Sequence, residues 1–182
     1  MKRRTNAVLR DISVKNIHRE VPMIMDIYNE CWEDNWGFVP MTQRELDMMA
    51  DELKLIMVPQ LAPIIEVDGK PVAFAIAIPD ANQALKKANG SLLGAFFALK
   101  VPFFRVKIDQ CRVLLLGVRK AFRGRGFEAL LINRIVREAI DFGVRRGELS
   151  WILEDNLSMR KILERGDFSQ HYRTYRVYQK EI

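Results

Sequence analysis

Val113-Leu114-Leu115-Leu116-Gly117-Val118 runs directly into Arg119-Lys120-Ala121-Phe122-Arg123-Gly124-Arg125-Gly126, and the chemistry changes completely at the junction. The first six residues are apolar apart from one glycine and read as a buried strand. The next eight hold four cations and two glycines. Behind them, residues 127–142 carry apolar side chains at helical spacing, with Leu130, Leu131, Ile135 and Ile140 expected on the inner face. The order is strand, basic glycine-bearing turn, helix. Glycines let a backbone approach an anion closely, and the free N–H groups of a helix's first turn, aided by its dipole, hold it. Flanking arginines add charge-assisted hydrogen bonds to phosphate. The segment predicts a phosphate or pyrophosphate cradle; a solvated basic helix end without a ligand is the plainer alternative.

Two common phosphate binders are excluded. There is no GxxxxGK[ST], so the turn is not a P-loop, and no GxGxxG with an acid about twenty residues on, so a dinucleotide fingerprint is unsupported.

Upstream, residues 63–67 and 71–78 flank Asp68-Gly69, a strong hairpin signal. The second strand is apolar on both faces and belongs at the centre of a sheet. Residues 7–14 alternate as a first strand. Asn16 is placed to cap a helix running to about residue 31, with Ile17, Val21, Ile24 and Ile27 inward and Pro22 as a point of start or kink. Thr42 and Glu45 form a capping box for a helix to about residue 57, ended by Pro59. Between these helices, Tyr28, Trp32, Trp36 and Phe38 stand beside Glu30, Glu33 and Asp34. Such aromatics either plug the core between two helices or form an acceptor-facing wall on a loop.

Residues 80–88 suggest a short helix closed by Asn89-Gly90. Residues 92–106 carry four Phe but are interrupted by Lys100 and Pro102, too short and broken to span a bilayer. A packed helix is the first reading, a greasy lid the second, and peripheral membrane contact a third. Downstream, Gly143 and Gly147 bracket Arg145-Arg146 as a helix stop, and residues 149–153 read as a strand ending in Glu154-Asp155-Asn156. Asn156 caps a helix over 157–165, and the alternating tail 171–179 reads as a closing strand.

With 182 residues and 49% hydrophobic composition, the chain is expected to form one domain over 1–182. Residues 1–90 hold 11 Lys/Arg against 13 Asp/Glu, and residues 91–182 hold 18 against 10. Positive charge therefore gathers in the half that holds the cradle, which suits a polyanionic cofactor. The cations cluster around one turn rather than forming a stripe interleaved with aromatics, which argues against nucleic acid. Two cysteines and two histidines make neither a disulfide framework nor a metal cluster, so no metal is expected. The basic start has no apolar run behind it, so it does not read as a signal peptide, and a cytoplasmic location is expected.

Arg123-Gly124-Arg125-Gly126-Phe127-Glu128 resembles the Arg/Gln-x-x-Gly-x-Gly/Ala turn of the GNAT N-acetyltransferase superfamily, with Glu128 departing from its usual Gly or Ala. The element order resembles the same superfamily over nearly the whole chain. Trp36-Gly37-Phe38-Val39-Pro40 and Ser150-Trp151-Ile152-Leu153-Glu154-Asp155-Asn156 are similar to motifs of a bacterial acyltransferase branch. The resemblance implies an α+β fold, a mixed and mostly antiparallel sheet flanked by helices, and an enzyme that moves an acyl group from acetyl-CoA or another acyl-CoA to a small-molecule or other amine-bearing acceptor. It implies that Leu116 and Val118 line the pantetheine path, that Arg123, Gly124, Arg125 and Gly126 hold the pyrophosphate, and that Asn156 contacts the pantetheine arm. Glu30, Trp32, Trp36 and Phe38 become acceptor-side candidates. Glu154 is the first candidate for general base, with Glu30 and Glu33 as alternatives. The superfamily's usual general-acid tyrosine falls at Leu163, leaving Tyr175, Tyr172 or Tyr178 to substitute. A descendant of the fold that binds CoA or a partner without catalysis is the alternative.

Overall fold

A computed structural model describes residues 6–35, 37–88, 91, 108–164 and 169–180. Its elements are β1 (Ala7–Asp11), α1 (Ile17–Trp32), α2 (Gln43–Ile56), β2 (Pro63–Val67), β3 (Lys70–Pro79), α3 (Asn82–Ala88), β4 (Gln110–Val118), α4 (Phe127–Asp141), β5 (Arg146–Leu149) and α5 (Leu157–Glu164), with short 3-10 turns at Val14–Asn16, Pro59–Leu61 and Lys120–Phe122. The five strands lie in the order β1-β2-β3-β4-β5. The first three pairings are antiparallel and the last, β4 with β5, is parallel. The expected α+β architecture with a mixed, mostly antiparallel sheet is the one observed.

Residues 1–150 and 151–182 form two compact units. In the first, β3 explains the layering. Ala73, Ala75 and Ala77 face a core shared with Phe127, Leu131, Ile135 and Ala139 of α4. Phe74 and Ile76 face the opposite way, into a core with Ile17, Val21, Ile24 and Ile27 of α1. Small alanines on one face let α4 approach closely, while the large side chains fill the space under α1. The β2–β3 turn places Asp68 at φ 51° and Gly69 at φ 75°, the left-handed pair that a two-residue hairpin requires. Thr42 and Glu45 make the capping box: the Thr42 N–H donates to Glu45 Oε2 at 2.7 Å and the Glu45 N–H to Thr42 Oγ1 at 3.4 Å. Pro22 lies inside α1 without ending it.

Several expectations are corrected. Leu130 and Ile140 are 53% and 64% exposed; the buried stripe of α4 is Phe127, Leu131, Ile135 and Ala139, an unbroken i, i+4 series. The last strand is Arg146–Leu149, not 149–153. The Arg145 and Arg146 N–H groups both donate to the Asp109 carbonyl, at 2.8 and 3.0 Å, which starts the β4–β5 pairing earlier in the chain. The tail 171–179 is not a strand; its tyrosines are exposed. Trp36 and residues 92–106 lie outside the described residues.

Candidate active site

The parallel pairing of β4 with β5 runs from Gln110↔Arg146 to Val113↔Leu149 and stops there. Leu114 is the extra residue of a bulge, since Ile76 pairs with Leu115 and Ala77 with Val113. Bulges re-aim a strand and interrupt its pairing. Leu114 to Val118 therefore continue beyond the end of β5 with β3 on one side only, and the backbone groups on the other side face no strand among the described residues. Both Leu116 and Val118 fall in this stretch.

The turn that follows keeps its glycines in the conformation only glycine adopts easily. Gly124 has φ 73° and Gly126 φ 84°, and a Cβ built on either would meet nothing within 4 Å. Gly126 is also the N-cap of α4, so no side chain caps the helix's first N–H groups. An uncapped helix start bordered by open space is what an anionic ligand requires.

The four cations divide into two pairs. Arg119 Nη1 donates to Glu30 Oε2 at 2.6 Å, and Lys120 Nζ donates to Glu33 at 2.7 Å and Asp34 at 3.1 Å. Burial pushes the Glu30 carboxyl up, but the Arg119 hydrogen bond, the Lys120 N–H and the Arg119 charge outweigh it and hold the group below the ordinary glutamate range. Glu33 and Asp34 raise the Lys120 ammonium in turn. Arg123 and Arg125 have no carboxylate partner among the described ion pairs. Arg123 Nε donates to the Val118 carbonyl at 3.2 Å, and the Arg125 guanidinium lies 4.7 Å over the Phe122 ring. Among the described residues of this turn, Arg123 and Arg125 are the cations with no carboxylate hydrogen bond. A pyrophosphate fits the backbone and charge of this turn. Glu128, half-buried in the first turn of α4, is the one carboxylate there.

Of the acceptor-side candidates, Trp32 lies against the same strand. Trp32 stacks on Tyr28 at 4.6 Å, and Tyr28 meets Phe38 at 5.8 Å. A Cβ on Gly117 would lie 2.9 Å from Phe74, 3.2 Å from Trp32 and 3.3 Å from Cys31, so the end of α1 rests directly on the β4 backbone between Leu116 and Val118. Cys31 Sγ donates to the Val118 carbonyl at 3.3 Å, and burial pushes its thiol up. Glu30 thus faces Arg119 and Lys120. Sequence reasoning counted Arg119 and Lys120 among the cradle cations but missed their pairing with Glu30, Glu33 and Asp34, for which the acidic excess before residue 90 and the basic excess after it are a signal; the close packing at Gly117 leaves no such signal.

Glu154, Asn156 and Tyr175 belong to the second unit. Glu154 is exposed, and its backbone carbonyl accepts from Arg160 Nη1 at 3.0 Å. Asn156 Oδ1 accepts the Met159 N–H at 3.2 Å and caps α5 as expected. Tyr175 is 58% exposed, with its ring 6.1 Å from Trp151 and its hydroxyl 3.2 Å from Arg173 Nη1. Leu163, at the position of the superfamily's general acid, is 9% exposed.

A model of the acetyltransferase (GNAT) family matches residues 21–168. The chain is 33% identical over 183 residues to the bacterial ceramide synthase of Caulobacter vibrioides and 33% identical over 186 residues to protein YghO of Escherichia coli. Each match takes in 98% of this chain and 47% of the relative, so the chain spans about half the length of either. Among solved structures, an aminoglycoside N-acetyltransferase in complex with CoA superposes with a TM-score of 0.65 at 15% identity, over 100% of this chain and 99% of that one. At that identity the likeness is one of fold. Among the described residues no helix is long and apolar enough to cross a membrane.

Proposed function

The chain belongs to the GNAT acetyltransferase family, and from that footing we propose that residues 1–182 act as one acyltransferase domain, joining the acyl group of an acyl-CoA to the amine of a long-chain, amphipathic acceptor. The observation that carries the reaction is the uncapped, two-glycine turn at the end of a strand that outruns its neighbour. The thioester supplies an activated acyl carbon. The chain's own work is orientation, removal of a proton from the amine, and shielding from water. Leu116 would offer its backbone groups, and Val118 its N–H, to the pantetheine arm, since the Val118 carbonyl already accepts from Cys31 and Arg123. The N–H groups around Gly124 and Gly126, with Arg123 and Arg125, would hold the pyrophosphate. Asn156 would reach the arm through its amide nitrogen, since its oxygen already caps α5. Glu154 would take the amine proton and Tyr175 return one to the leaving thiolate.

The acceptor class rests on the relative named a ceramide synthase, ceramide being the amide of a fatty acyl group and a long-chain amino alcohol. Two features of this chain agree with it. The Phe-rich composition of residues 92–106 suits an apolar substrate, and the Tyr28, Trp32 and Phe38 rings suit a cationic amine head. The Phe-rich composition also supports a long acyl chain in preference to acetyl. An acyl-CoA co-substrate together with a lipid acceptor supports a cytoplasmic location with peripheral membrane contact.

CoA is expected to raise the melting temperature, and Arg123→Ala to remove most of the rise. Thiol release is then followed with palmitoyl-CoA or acetyl-CoA against sphinganine and against polar amines. Release fastest with palmitoyl-CoA and sphinganine supports the lipid reading, whereas acetyl-CoA with a polar amine would replace it. A CoA shift with no thiol released from any amine would mark a binding-only descendant. If Glu154 is the base, Glu154→Gln lowers kcat by about 100-fold or more while leaving the CoA shift intact.

A further inference from the structure

We propose that Glu30 is a positioning residue for the cradle, acting as a cap supplied from another element. The cradle opens with the 3-10 turn Lys120–Phe122, whose N-cap position is Arg119 and which has no capping side chain of its own. The first N–H of such a turn is left without a backbone partner. Here the Lys120 N–H donates to Glu30 Oε1 at 2.7 Å, across 90 residues of sequence. The other carboxylate oxygen, Oε2, accepts from Arg119 Nη1 at 2.6 Å. Arg119 is itself fixed to β3, its Nε donating to the Pro71 carbonyl at 3.1 Å and its N–H to the Val72 carbonyl at 2.9 Å. One carboxylate therefore does for this turn what an Asp or Ser at its own N-cap would do, and ties it to α1 and β3 together.

The consequence reaches the ligand-facing residues by contact. Phe122, the last residue of the turn, stacks on Phe127 at the start of α4, with ring centroids 6.3 Å apart, and carries the Arg125 guanidinium over its face. Setting Lys120 sets Phe122, and through it Arg125 and the approach to Gly126. The same α1 turn places Trp32 against Gly117, so the acceptor-side aromatics and the cradle share one anchor. Glu33 and Asp34 also reach Lys120, but only at its exposed ammonium, where ion pairs contribute little.

This inference rests on the CoA reading, and titration of CoA into the intact chain by calorimetry separates the two. Glu30→Ala is expected to weaken CoA about tenfold, with Glu30→Gln falling between it and wild type because the amide oxygen can still accept the Lys120 N–H. Amide hydrogen exchange across Lys120–Phe122 rises in the same order, and Glu33→Gln stays within about twofold of wild type. Simple charge removal predicts the opposite sign and no ranking, because Ala and Gln both delete a negative charge near Arg123 and would tighten an anion equally. Unchanged or tighter binding in both variants overturns the proposal. Should Glu30→Ala fail to fold, Arg119→Lys tests the other end of the link: weaker CoA supports it and unchanged CoA overturns it. A wild-type chain that does not bind CoA overturns the cofactor reading itself, a result distinct from any ranking of variants.

Discussion

The two compact units of this chain carry different kinds of candidate residue and are built differently. In residues 1–150, the turn and the α1 end stand on a sheet with a core on each face, and each is held at several points: Glu30 to Arg119 and Lys120, Cys31 to Val118, Trp32 to Gly117. In residues 151–182, Trp151, Leu153, Tyr172, Tyr175, Val177 and Tyr178 are all about half exposed or more, and Leu163 is a buried apolar residue on a two-turn helix. The residues that would hold the pyrophosphate stand on packed elements, whereas Glu154 and Tyr175 are exposed.

Substitutions at the core should give the largest effects. Phe74 is fully buried under α1, and Phe74→Ala is expected to cost about 3–5 kcal/mol in urea denaturation. Gly117→Ala pushes a methyl against Phe74, Trp32 and Cys31 and should cost about 1–3 kcal/mol, with a shift in tryptophan emission as Trp32 is displaced. A neutral Gly117→Ala would show that the α1 end does not rest on β4. A smaller effect concerns acid. Because the folded Glu30 carboxyl titrates below its unfolded value, its contribution is present above about pH 4.3 and is lost as pH falls through the folded value. Glu30→Gln should therefore flatten the acid limb of the stability profile, read from denaturation midpoints between about pH 6 and about pH 3. At the other extreme, Tyr175→Ala should move stability by no more than about 0.5 kcal/mol, because its ring is mostly solvated. A loss of several times that size would erase the contrast between the units.

Much of the first unit was legible as pattern. Asp68-Gly69 between apolar runs, the Thr42–Glu45 box and the strand–turn–helix at 113–141 are local signals, each decided by residues within a few positions of one another. The tail failed for the complementary reason. Alternating Tyr and Arg over 171–179 satisfies the strand pattern, but a strand exists only where an edge pairs with it, and the described tail has no such partner. Arg146–Leu149 was overlooked because its pairing depends on the Asp109 carbonyl, 37 residues away from Arg146, and its own composition is charged. Leu130 and Ile140 were placed inward because hydrophobicity alone does not say which of several apolar stripes of a helix meets the sheet.

By itself, the sequence determined the turn chemistry. Two glycines, two arginines and a helix start stand in fixed succession, so the N–H groups, the backbone freedom and the charge that an anion would use are all recorded locally. Only the tertiary structure decided what each charge does. Arg119 and Lys120 looked the same as Arg123 and Arg125 in the sequence, yet the first two are committed to Glu30, Glu33 and Asp34 and the last two are not. An ionic contact depends on separation in space, and that separation was set by the packing of Trp32 and Phe74 around Gly117, a contact that no spacing in the sequence records.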